Sequence, residues 1–186
     1  MRIALPHPHS SFFILHSNFF ILLLLLLLLS CTKRDLPTTH HDDLSRPITL
    51  PREITRVVSL APNLTEMVFA IGAGEKLVGT DDHSNFPEAA KKIAKVGGMQ
   101  PNVEKIAALK PDVVIASTEG NHPNLAQALA AAKIPLYVVR TDRLEEIAPA
   151  MQRLGTLLDA PGANDAVGAL HGGIEAQRRP RANAPR

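Results

Sequence analysis

Short apolar runs rich in β-branched residues alternate along the chain with segments whose apolar positions recur every three or four residues. The short runs predict four strands, at residues 57–60, 77–80, 113–116 and 136–139. The longer spacing between them predicts helices, of which the first is stopped by Gly72 and Gly74. This order predicts an α/β fold, with a parallel sheet of about four strands flanked by helices.

Polar residues that precede the helical segments predict where the helices begin. Asn63, Asn102 and Asp142 each stand just before such a segment and are expected to act as N-caps. The segment after Asp142 has a stripe of apolar residues at helical spacing, which is expected to be buried. Its members are Leu144, Ile147, Met151, Leu154 and Leu158.

The amino-terminal part of the chain has the pattern of an export signal. Residues 19–29 are eleven consecutive apolar residues, which suits a signal-peptide core and is short for a bilayer span of roughly 20 residues. The run ends Leu28-Leu29-Ser30-Cys31, which resembles the bacterial lipobox, and Cys31 is the single cysteine of the chain. We therefore predict a signal peptide over 1–30 and a lipid-anchored envelope protein; an uncleaved anchor and plain secretion are the alternatives.

Composition divides the rest of the chain. Residues 31–53 contain three prolines and few apolar side chains, so we predict a disordered tether carrying the lipidated cysteine. Residues 54–160 form the predicted lobe, 161–178 begin a further helix, and 179–186 are expected to be disordered. The formal net charge of +2 gives no indication of nucleic-acid binding.

Catalytic motifs are absent from the sequence. The Gly72-Ala73-Gly74 pair closes a helix and precedes a strand, the reverse of a dinucleotide-binding fingerprint. A Ser-His-Asp site drawn from Ser59 or Ser117, His83 and Asp82 has no nucleophile elbow around it. A secreted α/β hydrolase-like enzyme of the cell envelope therefore has no motif in its favour, and it is kept as the alternative to a binding function.

A family resemblance is carried by residues 56–66, 71–79 and 106–116, including the run Leu109-Lys110-Pro111-Asp112-Val113-Val114-Ile115. These segments resemble the first lobe of the periplasmic substrate-binding proteins of ABC importers for cobalamin, ferric siderophores and haem. The resemblance implies a non-enzymatic receptor without a cofactor or resident metal, and an ABC permease with its ATPase as partners. It also implies that residues 161–178 begin the helix joining two lobes, and that the chain stops before the second lobe.

The same resemblance nominates site residues in the loops that follow the predicted strands. Asn63, His83, Met99 and Ser117 fall at or near ligand-contacting positions, several of which are often aromatic in cobalamin binders. His83 has three open interpretations: a ligand to haem iron or cobalt, a contact for anionic siderophore groups, or a solvated loop histidine. Glu104 matches a glutamate that pairs with permease arginines, and in the first turn of its helix it also complements the helix dipole.

Overall fold

Seven strands are present in the computed structural model, which describes residues 36–119 and 123–178. The predicted signal peptide, Cys31 and the 179–186 tail lie outside the described residues. The strands are β1 (Thr38–His41), β2 (Pro47–Leu50), β3 (Val57–Ser59), β4 (Leu77–Thr80), β5 (Ala94–Lys95), β6 (Val113–Ser117) and β7 (Leu136–Val139).

Five α-helices accompany the strands in the described part of the chain. They are α1 (Pro62–Ala70), α2 (Val103–Ala108), α3 (Pro123–Ala131), α4 (Leu144–Leu157) and α5 (Ala163–Arg178). Two short 3₁₀ helices, Gly74–Lys76 and Glu88–Lys92, precede β4 and β5. None of the described helices is both long and apolar enough to span a bilayer.

Strands β3 to β7 form one parallel sheet in the order β5-β4-β3-β6-β7. The chain starts at the central strand β3, builds outward through β4 and β5, and then crosses to β6 and β7 on the other side. The direction of building therefore changes between β3 and β6. This confirms the predicted α/β fold with a parallel sheet flanked by helices.

The core lies on both faces of this sheet, because side chains along each strand alternate between them. Val57, Val113 and Ile115 pack on the face covered by α1, α4 and α5. Val58 and Val114 pack on the face covered by α2 and α3. All five residues are fully buried, which explains why these strands read as continuous apolar runs.

The fifth sheet strand, β5, was missing from the sequence prediction. It has only two residues, Ala94 and Lys95, paired with Gly79 and Thr80 of β4. An edge strand of this length has no apolar pattern to reveal it.

The predicted helix caps were right at one position and wrong at two. The Asn102 side chain accepts a hydrogen bond from the Lys105 N–H at 2.7 Å, as a capping residue should. By contrast, α1 begins at Pro62 with Ala61 as its N-cap. Helix α4 has Arg143 rather than Asp142 in that position.

Residues 38–50 form an antiparallel hairpin, so this part of the predicted disordered tether is wrong. Asp42 is buried in the turn, and its carboxylate accepts hydrogen bonds from the Arg46 guanidinium at 2.6 and 2.9 Å. Leu50, at the end of β2, is 1% exposed and belongs to the main core. The ion pair of Asp42 with Arg46 and the burial of Leu50 stabilise the hairpin. Composition does not reveal contacts of this kind.

The buried stripe predicted for α4 is confirmed at Met151, Leu154 and Leu158. Ile147 is half-buried against the core, but Leu144 is 55% exposed and was wrongly placed in the stripe. Helix α5 runs over almost the residues predicted for it, and its Ala163 and Val167 join the same core cluster.

Candidate functional site

The carboxyl ends of the parallel strands all reach the same edge of the sheet. In open α/β sheets, ligands bind in the crevice outside this edge, where the direction of strand order changes. That change lies between β3 and β6, so the crevice is bounded by the loop after Ser59 and the loop after Ser117. We call this side of the molecule the carboxyl edge.

The structure brings the four sequence-nominated ligand residues to the carboxyl edge. From the β5 side toward β7, they are Met99 after β5, His83 after β4, Asn63 after β3, and Ser117 at the end of β6. Met99, His83 and Asn63 are exposed, whereas Ser117 is only 6% exposed. Ser117 therefore offers a ligand little surface in this structure.

Asn63 connects helix α1 to a loop of the carboxyl edge. Its side-chain amide donates to the Thr141 hydroxyl at 3.0 Å, in the loop that follows β7. Because β6 lies between β3 and β7 in the sheet, this bond joins the first turn of α1 to the loop after β7, on either side of the end of β6. The side chain that we expected to cap α1 instead connects two segments of the carboxyl edge.

His83 stands on the loop after β4 and packs against a glycine of the neighbouring loop. A Cβ atom built on Gly98 would lie 3.4 Å from His83 Nε2 and 3.7 Å from Asp82 Oδ2. The imidazole and the Asp82 carboxylate therefore share the space above Gly98. A main-chain bond from the Asp82 N–H to the Gly97 carbonyl, at 3.1 Å, holds the two loops together.

A buried polar cluster lies beneath the His83 loop. We name it the hydroxyl cluster: Ser59, Thr65, Asp81 and Ser84, which are 0%, 0%, 3% and 1% exposed. Thr65 Oγ1 lies 2.9 Å from Ser59 Oγ and 2.8 Å from Ser84 Oγ. The Ser84 hydroxyl donates to Asp81 Oδ1, and Asp81 Oδ2 accepts the His83 N–H at 3.0 Å.

Lys95 secures the outer side of the same loop. Its ammonium donates to Thr80 Oγ1 at 2.8 Å, to the Ser84 carbonyl at 2.5 Å and to the Ala90 carbonyl at 3.3 Å. Three donors thus have three acceptors, which explains how a half-buried lysine is tolerated at the sheet edge.

Exposed apolar side chains concentrate at the carboxyl edge. Among the described residues, five large apolar side chains are exposed, and three of them follow carboxyl ends of strands: Phe86, Met99 and Leu144, at 64%, 81% and 55% exposure. Sequence reasoning missed Phe86 as a site residue. Its signal was an aromatic residue two positions beyond the buried Ser84, in the same loop as His83.

An open groove of about 760 Å³ adjoins Met99, between the loop after β5 and helix α3. Its volume is within the range of roughly 300–1,000 Å³ usual for ligand pockets. Most of its lining is apolar and includes Pro101, Val103, Leu125 and Ala128.

The serine-based catalytic alternative finds no assembled site among the described residues. The Ser59 hydroxyl is fully buried and donates to the Ala61 carbonyl at 3.2 Å. Ser117 is also buried, and His83 is on the exposed side of its loop. No group of three or more metal-ligating side chains occurs in residues 36–119 and 123–178 either.

Glu104 lies in the first turn of α2 and is exposed. Within the described chain it forms no ion pair. Its carboxylate is therefore available for a partner, while its place in the first turn also suits the helix dipole.

The family model for periplasmic binding proteins matches residues 57–176, well over half of the chain. This protein belongs to the periplasmic binding protein family. The match includes the whole parallel sheet, the carboxyl edge and most of α5.

Curated relatives include vitamin B12-binding proteins of Vibrio vulnificus and Yersinia pestis, each 40% identical to this chain. The alignments cover 61% and 58% of this chain, and 42% and 39% of those proteins. This periplasmic binding protein thus spans less than half the length of the curated relatives it matches.

Solved structures of the same kind share the fold. The periplasmic vitamin B12 binding protein of Vibrio cholerae superposes with a TM-score of 0.61 at 32% identity, covering 67% of this chain and 50% of its own. A periplasmic haem-binding protein of Pseudomonas aeruginosa gives a TM-score of 0.63 at 31% identity, covering 67% and 46%. The described lobe therefore corresponds to about half of each of these proteins.

Proposed function

We propose that the protein binds a metal chelate at the carboxyl edge and acts as the solute receptor of an ABC importer. The observation that carries the proposal is that three exposed side chains, His83, Phe86 and Met99, stand in the neighbouring loops after β4 and β5, at the edge where α/β sheets bind ligands. Cobalamin is the first candidate ligand, because curated relatives at 40% identity are named vitamin B12-binding proteins. Haem is the second and a ferric siderophore the third.

The proposed binding uses contact rather than chemistry. Phe86 and Met99 would cover apolar faces of a large macrocycle, since both present most of their side-chain surface to solvent. His83 would supply a polar contact from the loop that also carries Phe86. The side-chain amide of Asn63 would supply a further polar contact from the first turn of α1. The apolar groove beside Met99 leaves room for the ligand's periphery.

Titration of the full chain with cyanocobalamin, haemin and a ferric hydroxamate tests this proposal. We expect saturable one-to-one binding of at least one of them, followed by absorbance and by calorimetry. His83→Ala should weaken it about tenfold, equivalent to ~1.4 kcal/mol. His171→Ala is the matched control, because His171 is an exposed histidine on α5. Absence of saturable binding to all three compounds contradicts the proposal.

We also propose that the protein is anchored to the membrane through lipidated Cys31 on the periplasmic side. The position of the single cysteine, one serine beyond an apolar core of signal-peptide length, supports this. Intact-mass analysis of the protein purified from membranes should show a diacylglyceryl cysteine at the mature amino terminus. A mature protein that retains the residues before Cys31 contradicts it.

Glu104 is the proposed contact for the permease. Its exposure and its freedom from ion pairs within the described chain support an encounter with a basic partner surface. In this proposal the ATPase acts only through the permease.

A further inference from the structure

The loop that presents His83 is fixed from below by atoms that no ligand can reach. Asp81 Oδ2 accepts the His83 N–H, and Asp81 Oδ1 accepts the Ser84 hydroxyl. The Ser84 hydroxyl also lies 2.8 Å from that of Thr65. Each of these side chains is 3% exposed or less.

Thr65 links this loop to the centre of the sheet. It is on α1, the helix that begins at the crevice, and its one hydroxyl proton is shared between Ser59, at the end of β3, and Ser84, because the Ser84 proton goes to Asp81. The hydroxyl cluster therefore joins three separate pieces of the carboxyl edge: the end of β3, helix α1 and the loop after β4. Other contacts to this loop come from Lys95 and from the Gly97 carbonyl.

We propose that Thr65, Asp81 and Ser84 are positioning residues that set ligand affinity by holding His83 in place without touching the ligand. The inference rests on the proposed function, since it concerns the same site. His83 is exposed, and the main chain under it is restrained at its own N–H and at the Ser84 side chain. Loss of these restraints leaves the imidazole free to leave the space above Gly98, so that binding a ligand must first order the loop.

Thr65→Val is the decisive variant, because it removes the central hydroxyl and keeps nearly the same shape. The neighbouring serine hydroxyls keep acceptors of their own, the Ala61 carbonyl for Ser59 and Asp81 Oδ1 for Ser84. No donor of the cluster is left unpaired, so the folding cost should be modest. Valine at a fully buried position also cannot change the surface that a ligand meets.

Two measurements on the full chain test the proposal. The first is hydrogen exchange of the His83 N–H without ligand, which we expect to become about tenfold faster in Thr65→Val. The second is the dissociation constant for cyanocobalamin and for haemin, which should rise about tenfold for whichever compound the native chain binds. Ser84→Ala removes the next hydroxyl in the hydrogen-bonded cluster, between Thr65 and Asp81, and should give the same two changes.

Two controls separate positioning from a general loss of stability. Thr65→Ser retains the hydroxyl and should restore both exchange and affinity to within about twofold of the native chain. Ile54→Val removes a methyl group from the core before β3, so it lowers the unfolding midpoint without touching the cluster. The His83 N–H exchanges by local opening of its loop in this proposal, so Ile54→Val should leave its exchange rate unchanged. The dissociation constant should also stay unchanged.

The outcomes distinguish this inference from the proposed function. If the native chain binds none of the compounds, the proposed function fails, and the exchange of the His83 N–H alone still decides whether the cluster fixes the loop. Unchanged exchange in both Thr65→Val and Ser84→Ala overturns the inference. If the native chain binds one of the compounds, faster exchange of the His83 N–H in the variants with an unchanged dissociation constant also overturns the inference.

Discussion

Tyr137 is the only tyrosine of the chain, and there is no tryptophan, so its ionisation can be followed directly. It is 4% exposed on β7. Burial raises the pKa of its phenol, and the negative charge of Asp43 raises it further, against an opposing effect of Arg153. In the unfolded chain the pKa of the same group is about 10.

The sign of the pH dependence follows from that shift. Below about pH 10, the phenol is neutral in both states and the full stability is present; above it, the unfolded chain loses the proton first. We therefore expect the free energy of unfolding to fall as the pH rises above about 10, and Tyr137→Phe to lose less. Tyrosinate absorbance should have a higher midpoint in native protein than in urea; equal midpoints contradict the prediction.

Helix caps show what single residues reveal in a sequence. Asn102 caps α2 because the preceding chain is held by a main-chain bond from Asn102 N–H to the Val96 carbonyl. Asn63 had the same local signature, but Pro62 starts α1 one residue earlier and the freed amide reaches Thr141. Both asparagines follow a proline, so the local sequence was alike in the two cases, and it could not reveal a contact between residues 78 positions apart.

The edge strand β7 is covered by the turn of the hairpin rather than by another strand. The Asp43 N–H donates to the Val138 carbonyl at 3.0 Å, and the Asp43 carboxylate accepts the Arg140 N–H at 2.6 Å. These bonds occupy main-chain groups that an open sheet edge would offer to another chain. The hairpin is therefore part of the sheet's boundary, which explains its order despite a polar sequence.

Replacing Asp43 should loosen this boundary. The Asp43 carboxylate also receives a hydrogen bond from the Arg153 guanidinium at 2.8 Å, so Asp43→Ala leaves both Arg140 N–H and Arg153 without their acceptor. We expect a loss of about 1–3 kcal/mol in the free energy of unfolding. Urea denaturation measures this, and amides of residues 38–50 should exchange faster.

Glu53→Ala provides the comparison for that variant, because Glu53 is an exposed carboxylate just beyond the hairpin. It should cost less than about 0.5 kcal/mol, as surface substitutions usually do. Equal losses in the two variants would mean that the edge contacts contribute nothing specific. The sequence could not foresee them, because Asp43 and its partner Arg140 are 97 residues apart.

At the scale of the whole molecule, the sequence was sufficient for the parallel sheet and for the edge at which a site would form. Strands buried on both faces leave a continuous apolar signal, and parallel strands send their following loops to one edge. The sequence did not predict which side chains of the loops are exposed. Ser117, at the end of β6, is buried, whereas Phe86, in the loop after β4, is 64% exposed.

The position of Glu104 makes the proposed permease contact separable from the proposed ligand binding. It is exposed on α2, and it belongs to neither the hydroxyl cluster nor the His83 loop. In the native host, Glu104→Arg should therefore reduce uptake of labelled cyanocobalamin about tenfold or more, since it places like charges together at the permease. The dissociation constant of the purified variant should stay within about twofold of the native value.

Glu75→Arg makes the same charge change at the opposite side of the sheet, because Glu75 is exposed in the 3₁₀ helix that precedes the amino end of β4. If net charge alone governed uptake, both variants would lower it equally. A permease contact at α2 requires that only the Glu104 variant does so, with affinity retained in both. Equal loss of affinity and uptake in Glu104→Arg would instead place that residue in the ligand site.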